Sequence, residues 1–177
     1  MKKVIMGIMF ILLTTTLIIV CISKKSSKEP PELEIIIGDK KIEYITSKNT
    51  WDGAIYDRLC AFKTIMKEGS NVEIPYIEIG KTAMISFKNN PPSKFTISDI
   101  LIDENGKQMY SDKVIINIPV ELKDGKCSFE IKKHFASALS SVYVENKIDY
   151  RGFKMIASWG ENKNECEYAF IIRTDGF

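Results

Sequence analysis

The chain has 177 residues and a formal net charge of +2, from 25 Lys and Arg against 23 Asp and Glu. That near-balance argues against a nucleic-acid or polyanion binder, which shows a clustered basic excess. A hydrophobic content of 45% with 10% aromatic residues excludes wholesale disorder, and one histidine with four cysteines leaves little material for a Cys/His metal site.

Met1-Lys2-Lys3 precede Val4 to Ile22, an uncharged stretch relieved only by Thr14-Thr15-Thr16 and Cys21. A charged start followed by an apolar core is what the secretion machinery reads. About 20 apolar residues in a helix also span a bilayer. Residues 1–22 are therefore expected to export the rest of the chain. One outcome is an uncleaved membrane anchor. A second follows from Leu17-Ile18-Ile19-Val20-Cys21, which resembles the lipobox of bacterial lipoproteins and makes Cys21 a lipidation candidate. A freely secreted product is the third. The basic flanks, Lys2 and Lys3 against Lys24, Lys25 and Lys28, nearly cancel in the positive-inside count. A long domain translocates largely regardless of its charge, which places it on the outer face of the cell membrane.

Residues 23–31, SKKSSKEPP, read as a short stalk. Residues 32–177 carry no low-complexity run, repeat or second linker, so one domain is expected. Leu33, Ile35 and Ile37 alternate before a turn at Gly38-Asp39, which leads into Ile42 to Ile45. Between Asp52 and Glu68 the apolar residues Ile55, Leu59, Phe62, Ile65 and Met66 fall at helical spacing, with Gly69 where a helix would end. Ala83, Ile85 and Phe87 alternate up to Asn89-Asn90-Pro91-Pro92. Phe95, Ile97 and Leu101 share a face that ends at Asp103-Glu104-Asn105-Gly106, where Asn-Gly supplies the positive φ of a tight turn. Val120 and Leu122 lead through Asp124-Gly125 into Cys127, Phe129 and Ile131. His134 to Ser141 reads as a second short helical turn. Phe153, Met155, Ala157 and Trp159, then Cys166, Tyr168, Phe170 and Ile172, form the clearest hairpin in the chain.

Seven or eight strands with one helix predict a mainly β fold, an immunoglobulin-like two-sheet sandwich. The stretch from Pro31-Glu32-Leu33 to Trp51 resembles the opening of an extracytoplasmic domain common in Gram-positive lipoproteins. Gly80-Lys81-Thr82-Ala83-Met84-Ile85-Ser86-Phe87 with Pro91-Pro92 is similar to that family's second block. Gly152 to Gly160, followed by Glu167 to Ile172, is similar to its closing hairpin. Similar domains cap the extracellular end of some antibiotic-sensing membrane metallopeptidases. The resemblance implies a fold and an address, and brings no catalytic residue.

Catalytic constellations are hard to assemble from these residues. His134 sits among lysines with no orienting carboxylate nearby in sequence, and reads as a surface or boundary residue. No G-x-S-x-G elbow, P-loop, G-x-G-x-x-G or H-E-x-x-H occurs. The stretch from Asp103 to Gly106 lacks the alternating ligands of a calcium loop. No metal ligand and no cofactor is expected. Cys127 and Cys166 each share an apolar strand face, so they would meet as an inter-sheet disulfide or remain two buried thiols, with Cys60 the odd one out. Trp159 reads as core, whereas Trp51, Tyr44 and Tyr56 would line a ligand groove or else pack beneath a loop.

The expected function is that of a membrane-tethered extracytoplasmic binding or sensing domain, non-catalytic, which meets a protein or cell-envelope ligand and not nucleic acid. The rivals are a cell-envelope hydrolase with a dispersed active site, and an accessory or inhibitory subunit of another membrane protein.

Overall fold

The computed structural model describes residues 29–57, 60–139, 144–160 and 163–176. The apolar segment 4–22, the lipidation candidate Cys21 and most of the stalk lie outside the described residues. Among the described residues no helix is long and apolar enough to cross a membrane.

Two antiparallel sheets form the sandwich. The four-stranded sheet has β1 (Leu33–Ile37), β2 (Lys40–Lys41), β5 (Thr82–Phe87) and β8 (Lys126–Glu130) in the order β2-β1-β5-β8. The six-stranded sheet has β3 (Ile45–Trp51), β4 (Ala54–Ile55), β6 (Lys94–Ile102), β7 (Ile116–Ile118), β9 (Ile148–Trp159) and β10 (Asn164–Asp175) in the order β4-β3-β10-β9-β6-β7. The chain changes sheet at β2 to β3, β4 to β5, β5 to β6, β7 to β8 and β8 to β9, while β9 and β10 close as a hairpin. That alternation is the immunoglobulin-like pattern. One departure is local: β1 first turns back through β2, so β3 reaches the other sheet antiparallel to β10.

Alternation along the strands builds the core. Ile35 and Ile37 of β1, with Ala83 and Ile85 of β5, face Phe153, Met155 and Ala157 of β9 and Tyr168, Phe170 and Ile172 of β10. Ring contacts fix which strands face each other. Phe129 of β8 lies 5.8 Å from Phe153 of β9, and Phe87 of β5 lies 5.9 Å from Tyr168 of β10. The start of β1 and the turns at 89–92 and 124–125 share one end of the sandwich. The Gly38-Asp39 turn, the Asp103–Gly106 turn and the crossover 131–139 share the opposite, distal end.

The helix is much shorter than its apolar stripe predicts. Instead of 52–68, α1 spans Ala61–Met66. Asp52 (φ 52°) and Gly53 (φ 81°) make a tight turn that pairs Trp51 with Ala54, and Ile55 is 87% exposed. A hairpin turn with two left-handed residues takes residues 52–55 out of the expected helix, and residues 58 and 59, with Leu59 of the apolar stripe, lie outside the described residues. What remains packs on the outer face of the six-stranded sheet, where Ala61 and Ile65 meet Ile100, Ile102, Ala169 and Ile171. Of the helical turn expected over 134–141, Phe135–Leu139 is a 3-10 segment, and residues 140 and 141 lie outside the described residues. Strands β2, β4 and β7 carry no sequence signal of their own, because two or three residues are too short to show alternation.

Candidate functional site

A groove of about 910 Å³ lies in the side of the sandwich, where the chain crosses from β2 to β3. Lys40 to Tyr44 form one wall and Asn71, Val72, Glu73 and Pro75 the other. The second wall exists because residues 75–77 continue the edge of β10 beyond the reach of β3: Arg173 N–H donates to the Pro75 carbonyl (2.9 Å) and Ile77 N–H to that of Arg173 (2.8 Å). Polar contacts tie the walls together. The Glu43 carboxylate accepts the Glu73 amide (2.9 Å), and Lys40 Nζ donates to the Tyr76 carbonyl (3.0 Å). With Lys40, Lys41, Glu43 and Glu73 on its rim and Ile42 and Val72 within, the groove pairs charge of both signs with apolar surface.

The three aromatic candidates do not gather there. Tyr44 does line the groove, half-buried, and its hydroxyl is fixed by donating to the Leu33 carbonyl (2.9 Å) and accepting the Leu33 amide (3.1 Å). It also borders a smaller depression beside Pro30 and Pro31. Trp51 is only 2% exposed and lies edge-on to Trp159 at 5.2 Å, so it is core and lines no groove. It stands at the end of β3 with its ring inward. Tyr56 is exposed elsewhere, with Lys48 Nζ 5.5 Å from its ring centre.

Cys127 and Cys166 are free thiols in the structure, and the inter-sheet bridge is not formed. Both point between the sheets, but Cys127 is on β8, which faces β9, whereas Cys166 is on β10, which faces β5. They are offset by one strand across the interface. Burial pushes the Cys127 thiol up to about 11 and the Cys166 thiol up to about 12, so neither is a nucleophile at neutral pH. Cys60 is exposed at the start of α1.

His134 departs most from its expected surface position: it is 3% exposed, at the distal end under the 131–139 crossover. Asp99 of β6 and Arg151 of β9 both occupy inward register positions and form a buried ion pair, with Arg151 Nε donating to Asp99 Oδ1 at 3.2 Å. A second Arg151 nitrogen donates to the Lys132 carbonyl (2.6 Å), so the pair clamps the crossover. The Ser137 hydroxyl donates to Asp149, whose other oxygen takes Lys147 Nζ at 3.1 Å. His134 Nδ1 accepts the Ala136 amide (3.2 Å), and Nε2 has no partner of hydrogen-bonding geometry. Burial holds the ring below the usual imidazole range, opposed by Asp99.

Chemically, this cluster is not a triad. Ser137 donates to a carboxylate and has no base, and both it and His134 are sealed from solvent. Sequence reasoning missed Asp99, Asp149 and Arg151, although each stands at an inward register position of a strand, which is a signal for buried pairing. It also missed the wall from Asn71 to Pro75, which has no periodicity to read. Among the described residues no group of three or more His, Cys, Asp or Glu could hold a metal ion.

Compared with protein-family models, curated proteins and solved structures, the chain matches none.

Proposed function

We propose that the protein is a membrane-tethered extracytoplasmic domain that binds or senses a ligand without chemistry, and that the groove beside Tyr44 is where it does so. The single observation that supports this best is the groove itself. It has two walls from distant parts of the chain, tied by the Glu43–Glu73 and Lys40–Tyr76 contacts. Mixed charge around an apolar floor suits an extended peptide or a protein loop better than a polyanion. The membrane tether rests on residues 1–22 of the sequence, and the outer-face location with it.

The test uses the full-length chain in membranes of its host, with a photo-crosslinking residue replacing Lys41 or Glu73 in turn. A discrete adduct from both groove positions, and none from the same residue placed at Thr96, is the expected result. Equal or absent crosslinking at all three positions overturns the reading. Intact mass of the membrane-extracted protein separates a lipidated chain beginning at Cys21 from a full-length anchor.

A second reading, as an accessory subunit of another membrane protein, draws on the outer face of the four-stranded sheet. No described element covers it, in contrast to the helix-covered face of the other sheet. Ile36 and Met84, the latter 49% exposed, lie there in a shallow groove of about 600 Å³ edged by Glu34, Glu121, Lys123 and Lys126.

A further inference from the structure

The chain's one imidazole is sealed inside the connection that closes the distal end. We propose that His134 is a proton-operated latch: its neutral ring, beside the Asp99–Arg151 pair, holds the 131–139 crossover closed, and its protonation releases that crossover.

Nδ1 accepts the Ala136 amide, so the neutral ring carries its proton on Nε2. A second proton would have to sit on Nδ1, converting the acceptor into a donor that faces another donor. The Ala136 bond, at the start of the 3-10 segment, is then lost. The new charge also lies among fixed ones. Asp99 of β6 and Asp149 of β9 favour it, while Arg151 of β9 opposes it. Lys147, on the segment before β9, is already engaged by Asp149. An imidazolium drawn toward the Asp99 carboxylate competes for it with Arg151, and Arg151 is the residue that holds the Lys132 carbonyl. Either response undoes one of the contacts that fix the crossover.

The sign of the pH dependence follows from burial, which lowers the proton affinity of the closed state. The open state binds protons from about pH 6.5 downward, so closure is fully favoured above that value and is lost as pH falls through the ring's lower native value. Release also changes the surface, because Phe135 and Leu139, both exposed, ride on the segment that moves.

The experiment is hydrogen exchange on the full-length chain in detergent at pH 7.0 and 5.5, corrected for the intrinsic pH dependence of exchange. Opening of 131–139 should rise several-fold, to a ceiling of about eightfold set by an open-state value of about 6.5, with β5 and β10 unchanged. His134→Gln should abolish the acid-induced rise. An equal rise in that variant, or none in the native chain, overturns the latch. Should His134→Gln not fold, the ring's own titration decides, since one histidine gives one assignable C2–H resonance. A value below the unperturbed pKa of about 6.5 supports the latch, and one at or above it overturns the latch.

Discussion

Gly152 of β9 has no side chain where the ring of Phe62 lies: a β-carbon there would stand 2.6 Å from Phe62 Cζ. The helix therefore rests on bare backbone in the middle of the six-stranded sheet. A Gly152→Ala substitution should destabilise by about 1–3 kcal/mol through overpacking, read as a lower denaturation midpoint. Phe62→Leu in the same chain should recover some of that loss. Gly106→Ala should cost more, because its φ is +74° and the β-carbon would meet the main chain of Phe62 at 2.6 Å.

The Asp99–Arg151 pair invites a double-mutant cycle. Asp99→Leu or Arg151→Met alone leaves one charge buried and should cost about 3–5 kcal/mol. The double variant should lose clearly less than the sum, measured by chemical denaturation at pH 7.5. If the two losses simply added, the pair would not be the clamp its geometry describes.

Thiol reactivity orders itself by burial. At pH 8, Cys60 is exposed and should alkylate first, Cys127 slowly, and Cys166 only on unfolding, given thiols pushed up to about 11 and about 12 at the last two. Mass spectrometry of the denatured chain should count the same alkylated thiols with and without prior reductant. A reductant-dependent gain of two would mean that a bridge forms between Cys127 and Cys166.

Tyr168, fully buried in β10, donates its hydroxyl to the Pro31 carbonyl at 2.6 Å. Tyr168→Phe keeps the ring and removes only that bond, so a loss of about 0.5–1.5 kcal/mol is expected. The main chain at 29–32 should also be cut faster by a broad-specificity protease, while β9 remains protected.

Much of this architecture was legible because burial here follows local alternation. The inward residues of β1, β5, β9 and β10 are those the period-two pattern selects. What was not legible depends on partners far away in the chain. Helical spacing over 52–68 is real for Phe62, Ile65 and Met66, but Asp52 and Gly53 bend the backbone first. His134 follows two lysines and gives no local sign of burial; it is covered because Arg151, 19 positions beyond Lys132, pulls the crossover inward. The groove has the same origin. Tyr44 was identifiable as an aromatic near a strand, yet its opposite wall arrives from residues 71–75.

The anchoring of Pro31 has a mechanical consequence. Tension applied to the chain ahead of β1, with the domain held at its distal loops, runs along β1 and meets five register pairs with β5 lying across it. Those rungs share the load in shear and do not break in succession. The Tyr168 hydroxyl passes some of the same force into β10, whose twelve pairs with β9 are the longest ladder in the described fold. The first strand is fastened as a strap is, along its length and to both layers.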